Sequence, residues 1–547
     1  MTGGAARKRA YGGCGGGTSC GAADCGYLHG TGSGGDGNVE ASRIPDGNCG
    51  FRDAADMIGQ EAVIRERRLG SLLTFSGSSG ELAELGDANP PGCCRDNTFN
   101  QCGDCSGQRA MLTVSQIRDT AMVNHAPIGC AADLVQFNAS HRRGLAAMGL
   151  PASDMKALSS NMTENDLIMG GGAKLAAALD EAHRRFSPRA IFVTSSCVSG
   201  IIGDDIEEEA ESAQRRLGIP VVPVYCEGFK SMVWTTGFDA AYHGIVRKLV
   251  KPPARRRVGE VNLFNFSNIR TFTPLLAEMG LAPRYLVHQA TVDELGTMSE
   301  SVASAHICET LGTYVAAALE RLWGVPEVRC PPPYGLEWTD GWLRELGRLT
   351  GRERQAERAI RAGRERVAPE LDSLRKELGG LRVYAFGGAS YCHNMLAAAR
   401  DLGLETAGMM GFHHDMTFDN GFEEIKSIKN IHGLTGGMPR VSVCNKQPYQ
   451  LVKILMDLRP DVILSRHESL PVQAVKLGIP TFFAGDANLA AGYEGVVALG
   501  RKTLRALRAV NFVRNVAAHA RFPYTDWWMK GRDPFLFRRE SRAGSGA

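Results

Sequence analysis

The sequence predicts an α/β fold with three doubly wound parallel-sheet (Rossmann-like) domains and a glycine- and cysteine-rich N-terminal tail. From residue 97 onward, short β-branched or apolar runs alternate with helix-like segments, which is typical of βαβ units and of parallel sheets covered on both faces. Two charged, proline-bearing stretches, 251–257 and 351–378, interrupt this alternation. A chain of 547 residues has room for three or four domains of roughly 150 residues each. Strands are predicted at 190–194, 221–225, 258–264, 383–386, 440–443, 461–464 and 480–483.

The chain is predicted to consist of a tail with an extension and three α/β domains, with the bounds 1–96, 97–250, 251–378 and 379–547. The first 50 residues hold 16 glycines and too few aliphatic side chains for a core, which indicates a flexible or partner-wrapped tail. The tail cysteines, whose spacing departs from the usual zinc patterns and whose role stays open, are Cys14, Cys20, Cys25 and Cys49. An aromatic segment with Trp527, Trp528 and Pro534 is predicted to pack on a subunit or domain surface.

Composition excludes several classes of protein. Basic and acidic side chains nearly balance, with a net charge of +3, so nothing indicates a nucleic-acid partner. No apolar run approaches the ~20 residues of a membrane span, and no apolar segment follows the basic N-terminus. We therefore expect a cytoplasmic protein without a membrane partner. Fifteen cysteines in such a chain indicate metal or redox chemistry rather than a disulfide framework.

Four cysteines lie where α/β folds place their chemistry, in loops after strands or at helix starts. They are Cys105, Cys130, Cys197 and Cys308. An isolated thiol is often only a small hydrophobic side chain, but three of these four are flanked by Gly, Ser or Pro instead of core aliphatics. Thiolates are the usual ligands of iron–sulfur clusters. Because three cysteines cannot complete a four-ligand cubane, we expect a second subunit to supply the remaining ligands.

Three longer motifs surround these cysteines. Cys105 and Cys130 are 25 residues apart, the stretch C-V-S-G-I-I-G-D-D-I begins at Cys197, and P-V-Y-C-E-G-F-K ends at Lys230. On these motifs the chain resembles the α subunit of the nitrogenase superfamily, over about residues 97–530.

The resemblance implies two metal clusters and two protein partners. Cys105, Cys130 and Cys197 match the family's P-cluster cysteines, which implies an [8Fe-7S] cluster shared with a homologous β subunit in an α2β2 heterotetramer. Cys308 precedes Gly324 of G-V-P by 16 residues, as does the family's cysteine on the terminal iron of the catalytic cofactor, which implies an iron–sulfur–carbide cofactor of the [8Fe-9S-C] type. An ATP-dependent [4Fe-4S] iron protein is implied as electron donor, since the sequence has no G-x-x-x-x-G-K-[ST] loop.

The chain also departs from the family pattern. The glutamine and histidine that border the active face of the cofactor correspond here to Trp234 and Phe238. The loop after 478–480 lacks the histidine of the cofactor's heterometal end, and Ser390 stands near the place of an expected arginine. These departures imply a cofactor without molybdenum and argue against dinitrogen reduction.

Further polar side chains are candidates for the lost contacts. His414 is assigned to the catalytic face with Trp234 and Phe238, and Asp486 and Asn488 are assigned to the cofactor together with Cys308. The remaining candidates are His393, His413 and His467. The competing interpretation of each histidine is structural, because a lone histidine in an α/β loop usually satisfies backbone groups.

The predicted function is that of the catalytic subunit of a nitrogenase-like methylthio-alkane reductase. An apolar face of Trp234, Phe238 and Phe412 suits a small uncharged thioether, because apolar burial supplies most of the binding at about 25 cal/mol per Å². The competing function is that of a cofactor-assembly scaffold subunit. Less favoured are a true nitrogenase α subunit, a dark-operative protochlorophyllide or chlorophyllide reductase subunit, and an α/β binding protein whose cysteines hold no metal.

Overall fold

The structure is a computed structural model that describes residues 55–72, 74–87, 105–132, 134–265, 270–415, 427–444, 448–466, 469–483 and 490–530. The strands are β1 (Ser71–Leu72), β2 (Thr74–Gly77), β3 (Thr120–Asn124), β4 (Ala157–Ser159), β5 (Ala190–Thr194), β6 (Val221–Val224), β7 (Arg257–Asn265), β8 (Ala282–Val287), β9 (Ser301–His306), β10 (Arg382–Gly387), β11 (Glu405–Gly411), β12 (His414–Asp415), β13 (Val441–Cys444), β14 (Val462–Ser465) and β15 (Thr481–Phe483). The helices are α1 (Arg65–Arg68), α2 (Ser79–Asp87), α3 (Ser106–Ser115), α4 (Leu134–Ala147), α5 (Glu164–Met169), α6 (Gly172–Phe186), α7 (Cys197–Ile202), α8 (Ile206–Leu217), α9 (Thr236–Lys248), α10 (Phe272–Glu278), α11 (Val292–Gly296), α12 (Glu309–Trp323), α13 (Gly335–Thr350), α14 (Glu353–Leu378), α15 (Ala389–Asp401), α16 (Ser427–Thr435), α17 (Pro448–Leu458), α18 (Ser469–Lys476), α19 (Gly492–Arg508), α20 (Val510–His519) and α21 (Asp526–Lys530).

The first sheet has the strand order β4-β3-β5-β6, and its strands are parallel. Successive side chains of a strand point to opposite faces, and here both faces are buried. Val123 and Ile191 pack in one core with α6 and α8, whereas Met122 and Phe192 pack in another with α3 and α9. The predicted α/β fold with doubly wound parallel sheets is confirmed.

The second and third sheets follow the same plan. The second has the order β8-β7-β9 and is parallel, and the third has the order β15-β14-β10-β11-β13 with β2 added antiparallel at its edge. β1 pairs antiparallel with β12. Residues 74–77 of the predicted N-terminal extension are therefore part of the third sheet, and residues 71–72 form a separate two-stranded sheet with β12.

The polar run predicted to interrupt the alternation forms one helix, α14. Its few apolar side chains recur every three or four residues, and those at Ile360, Val367 and Leu371 are buried against the neighbouring helices α13 and α19. None of the helices in the described part of the chain is long and apolar enough to span a bilayer. At the C-terminal end, Trp527 is 58% exposed in α21, and Pro534 lies outside the described residues.

Candidate functional site

Three of the predicted cysteines lie at the starts of short elements beside the first sheet. Cys105 caps α3, where its Sγ accepts a hydrogen bond from the Gln108 N–H at 3.4 Å and its own N–H donates to the Gln108 side chain at 3.0 Å. Cys197 is the first residue of α7, and Cys130 lies in a single 3-10 turn after β3.

Gly228 brings the first two thiols together. A Cβ at Gly228 would lie 3.5 Å from the Sγ of Cys105 and 3.6 Å from the Sγ of Cys197. Burial, followed by the charges of Cys105 and Cys197, raises the pKa of Cys130, so the third thiol lies within electrostatic reach of the other two. Because Gly228 has no side chain, space is left between the sulfur atoms of Cys105 and Cys197, and we call this space the cradle.

This arrangement fits a multi-iron cluster better than a single ion. Among the residues that the structure describes, no group of three His, Cys, Asp or Glu side chains is placed to hold one metal ion. In an iron–sulfur cluster each thiolate binds a different iron, so its cysteines stand further apart than the ligands of one ion. Cys105 and Cys130 are exposed and Cys197 is half-buried, so all three remain accessible from outside the subunit.

A fourth cysteine of the same region behaves differently. Cys226 is buried, its Sγ donates to the carbonyl oxygens of Val224 at 3.5 Å and Ser195 at 3.6 Å, and burial raises its pKa. A thiol held in this way is a packing element of the first sheet. The contrast separates the three accessible cysteines from ordinary buried ones.

The accessible thiols open onto an apolar surface. Ile128, two residues before Cys130, is 64% exposed, and Ile201, four residues after Cys197, is 74% exposed. The neighbouring exposed apolar side chains are Leu167, Ile168, Met169, Phe229 and Met232. Leu167, Ile168 and Met169 lie in α5, which contacts α7, and several exposed apolar side chains near one site typically mark a protein interface.

Cys308 lies elsewhere, at the start of α12. It packs against two hydrophobic cores, one shared by the first and second sheets and one shared by the second and third. Burial, and then the charge of Glu309, raises the pKa of Cys308. Ser390 at the start of α15 donates to the Glu309 carboxylate and accepts from the Glu309 N–H at 3.2 Å, which ties α12 to the third sheet. Cys308 is therefore placed at the junction of all three sheets.

Several buried polar atoms near Cys308 lack hydrogen-bond partners among the described residues. The hydroxyl groups of Tyr242 and Tyr334 are buried, both groups interact electrostatically with Cys308, and neither has a hydrogen-bond partner among the described residues. The hydroxyl of Tyr391, which interacts electrostatically with Tyr334, is also buried without a hydrogen-bond partner among the described residues. A buried hydroxyl without a partner costs free energy, so these atoms fit a polar or ionic group bound beside Cys308.

Trp234 and Phe238, the residues predicted for the catalytic face, form a buried aromatic pair. Trp234 precedes α9 and Phe238 lies in it, with exposures of 8% and 1% and ring centroids 6.1 Å apart. Phe238 stacks on Tyr242 at 6.5 Å, and this contact links the pair to the surroundings of Cys308. The third predicted member, Phe412, packs on Phe386 within the core of the third sheet.

An arginine that was not predicted from the sequence lies over this pair. The Cζ of Arg109 is 4.5 Å from the Trp234 ring centroid and 5.6 Å from that of Phe238. Gly237 permits the approach, because a Cβ there would lie 2.0 Å from the carbonyl oxygen of Ser106 in α3. Helical spacing was an available signal, since Arg109 follows Cys105 by about one turn of α3.

Of the predicted histidines, His413 is the one that lies against Trp234, with ring centroids 6.4 Å apart at 82°. His414 lies in β12 and its ring is 6.4 Å from that of His393, whose pKa is lowered to about 3 by burial and the charge of His414. The catalytic role assigned to His414 stays a prediction. Asp486, Asn488 and His467 lie outside the described residues, as do the tail cysteines Cys14, Cys20, Cys25 and Cys49.

A buried ion-pair cluster was also not predicted from the sequence. Arg65 of α1 is fully buried and binds the carboxylates of Asp239 and Asp415, while Arg68 binds Asp239 at 2.7 Å. Arg65 also donates to the carbonyl oxygen of Thr310, two residues after Cys308. The cluster joins the N-terminal extension to α9, α12 and β12.

Comparisons with known proteins agree with this architecture. Residues 105–508 match the family described as nitrogenase component 1 type oxidoreductase. The chain is 26% identical to the nitrogenase molybdenum-iron protein alpha chain of Methanothermobacter marburgensis, covering 83% of this chain and 96% of that protein. It is also 26% identical to the nitrogenase iron-molybdenum cofactor biosynthesis protein NifE of Methanococcus maripaludis, covering 76% of this chain and 86% of that protein. Among solved structures, nitrogenase Cp1 at pH 6.5 superposes with a TM-score of 0.63 at 18% identity, covering 79% of this chain and 92% of that one.

The family match and the shared fold, with its parallel sheets, define this chain as a subunit of an oxidoreductase of the nitrogenase type. The chain belongs to the nitrogenase component 1 family, and within it to the α-type subunits.

Proposed function

We propose that this chain is the catalytic α subunit of a nitrogenase-like reductase that cleaves the C–S bond of small methylthio-alkanes. The observation that carries the proposal is the buried aromatic pair of Trp234 and Phe238, linked through Tyr242 to the surroundings of Cys308. The reaction consumes two electrons and two protons, so that R–S–CH₃ becomes R–H and CH₃SH.

The electron-entry site of this proposal is half of an [8Fe-7S] cluster on Cys105, Cys130 and Cys197. The cradle at Gly228 and the accessibility of the thiols support it. The apolar surface beside them supports a homologous β subunit that covers the thiols and completes an α2β2 heterotetramer. The electrons come from a separate ATP-dependent iron protein with a [4Fe-4S] cluster.

The reaction site is an [8Fe-9S-C] cofactor without molybdenum, held through Cys308. When bound, this cofactor supplies the low-potential electrons and the metal surface for C–S cleavage. The unpartnered hydroxyls of Tyr242, Tyr334 and Tyr391 support a polar group at this place. Asp486 and Asn488 remain the proposed further contacts to the cofactor, and His414 the proposed further residue of the catalytic face.

The side chains of this protein position a thioether by apolar contact. On the sides that Arg109 and Tyr242 do not cover, Trp234 and Phe238 offer apolar ring surface to alkyl groups and exclude water, and a thioether needs little else because its sulfur is only a weak acceptor. Both rings replace hydrogen-bonding groups of the family pattern, and the loss of such donors costs about 10²–10³ in rate where charge develops. We therefore propose weak or absent reduction of dinitrogen.

A cofactor-assembly scaffold is the second candidate function. The similarity to cofactor biosynthesis proteins favours it, since this similarity equals that to a molybdenum-iron alpha chain at 26% identity. In this case the aromatic pair would line a transit site for a cofactor precursor.

The test is an anaerobic assay of the α subunit purified with its β subunit and supplied with iron protein and ATP. Dimethyl sulfide and ethyl methyl sulfide are the probes, and we expect methanethiol and alkane in equal amounts. Cys308→Ala should abolish the products, while the matched control Cys330→Ala, half-buried and outside the site, should retain them. A complex without methanethiol that donates a cofactor precursor to an apo-nitrogenase would establish the scaffold instead.

A further inference from the structure

His413 is the side chain with the strongest unexplained feature in the described structure. It is 1% exposed, its Nδ1 lies 3.2 Å from Oδ1 of Asp415, and its Nε2 is buried with no hydrogen-bond partner among the described residues. Buried imidazole nitrogens normally have a partner, because a polar atom removed from water without one costs free energy. A partner is therefore expected for Nε2 from outside the described residues.

The partner of Nδ1 determines what Nε2 can do. Asp415 is held by Arg65, whose Nη1 donates to Oδ2 at 3.2 Å, and by the Ser71 hydroxyl, which donates to Oδ1, so both carboxylate oxygens already accept hydrogen bonds. An ionised carboxylate only accepts hydrogen bonds, so Nδ1 of His413 must carry the proton. In the neutral ring Nε2 then presents a lone pair.

Asp415 belongs to the buried ion-pair cluster, in which Arg65 binds Asp239 and Asp415 and Arg68 binds Asp239. A neutral imidazole that donates one N–H to a carboxylate and offers the other nitrogen is the usual form of a metal-ligating histidine.

Two contacts connect the His413 ring to the surroundings of Cys308. The His413 ring stands edge-on to Trp234, and Asp415 connects His413 to Arg65. Arg65 in turn donates to the carbonyl oxygen of Thr310, two residues after Cys308. The segments that carry His413 and Cys308 therefore meet at the same guanidinium group.

We propose that Nε2 of His413 is a second protein ligand to iron of the cofactor that Cys308 holds. The proposal rests on the proposed cofactor at Cys308 but not on the thioether substrate. The sequence offered six candidates for the lost cofactor contacts, four histidines with Asp486 and Asn488, and the proposal assigns the iron contact to one of these histidines. Imidazole nitrogen suits iron, and the carboxylate behind it fixes the ring and raises its basicity.

The experiment is pulsed EPR on the complete complex in its cofactor-loaded, dithionite-reduced state. Electron spin-echo envelope modulation should report a directly bonded nitrogen, and growth with ¹⁵N-histidine should change that modulation into the ¹⁵N pattern. In His413→Gln the histidine modulation should disappear. In the matched control His519→Gln, an exposed histidine at the end of α20, it should be unchanged.

Each result decides the proposal. Cofactor signals without histidine modulation in the unmutated complex would overturn it and leave the proposed function standing, and this measurement needs no variant to fold. Modulation that persists in a folded His413→Gln complex would also overturn it. A complex without any cofactor signal would overturn both this proposal and the proposed function.

Discussion

Arg65 and Asp239 are joined by two parallel hydrogen bonds, from Nε to Oδ2 at 2.9 Å and from Nη2 to Oδ1 at 2.8 Å. Both side chains are fully buried, and Arg65 has further bonds to Asp415 and to the Thr310 carbonyl. A residue of the N-terminal extension thereby contacts α9, the start of α12 and β12. These are the elements that surround the aromatic pair and Cys308.

The first prediction concerns this buried arginine. Replacing Arg65 by Met leaves the carboxylates of Asp239 and Asp415 buried with fewer partners, and breaking such a pair costs about 3–5 kcal/mol. Urea unfolding of the isolated subunit followed by circular dichroism measures the loss. Arg344→Met is the matched control, since Arg344 pairs with Glu357 where both are more than half exposed and the cost is about 1 kcal/mol or less. Equal losses in the free energy of unfolding for Arg65→Met and Arg344→Met would contradict the prediction.

The second prediction concerns the cradle at Gly228. In Gly228→Ala the new methyl group would lie 3.2 Å from the Cβ of Cys105, which a small shift of that side chain relieves, and 3.5 and 3.6 Å from the sulfur atoms of Cys105 and Cys197. We expect the cluster-free subunit to fold normally and the complex to lose about tenfold or more of its affinity for the cluster, as for disturbed metal surroundings in general. Iron analysis and Mössbauer spectroscopy measure this. Gly341→Ala, where a Cβ meets nothing within 4 Å, serves as control, and full cluster content in Gly228→Ala would refute the cradle.

The third prediction concerns the proposed thioether face. Phe238→His removes a buried ring whose apolar burial is worth about 1.5–3 kcal/mol, and each 1.4 kcal/mol is about tenfold in affinity. We expect KM for dimethyl sulfide to rise about tenfold or more. Phe512→His, at a ring that is 64% exposed on α20, should leave KM unchanged. An unaltered KM in a folded Phe238→His complex would exclude this ring from the substrate face.

The fourth prediction concerns pH. Burial, with the charge of Arg109, lowers the pKa of His288 from 6.5 to about 4, and burial with the charge of His414 lowers that of His393 to about 3. Both side chains bind protons more readily in the unfolded chain, so their contribution to stability is complete above pH 6.5 and falls as the pH falls below it. Between its pKa in the folded chain and its pKa in the unfolded chain, each histidine lowers the free energy of unfolding by about 1.4 kcal/mol for every pH unit of acidification.

Urea titrations of the cofactor-free subunit between pH 7.5 and 5 measure that slope. His288→Gln should give a shallower dependence than the unmutated chain, and the exposed His519→Gln should not. A stability that stays constant or increases toward pH 5 would contradict the prediction.

The sequence predicted the repeating elements and missed the long-range contacts. Runs such as 190–194 are apolar on both faces, and the strand Ala190–Thr194 follows from that property alone. Arg65 was not predicted, because its partners Asp239 and Asp415 are 174 and 350 residues away and no local pattern marks a buried arginine. The choice between His413 and His414 depends on where the connection between β11 and β12 ends, since His414 begins β12 and His413 lies in the connection before it. The Cys105 to Arg109 spacing, by contrast, was visible in the sequence once α3 was assumed to be a helix.

The contact of α3 with α9 at Gly237 has a consequence for how the two ends of this subunit communicate. Cys105 begins α3, and Arg109, one turn further, lies on Trp234 and Phe238. Because Gly237 leaves no space between the two helices, α3 cannot shift at its cysteine end without moving the guanidinium over the rings. If docking of the proposed partner or reduction of the proposed cluster displaces α3 at Cys105, the Arg109 guanidinium therefore changes its position over the Trp234 and Phe238 rings.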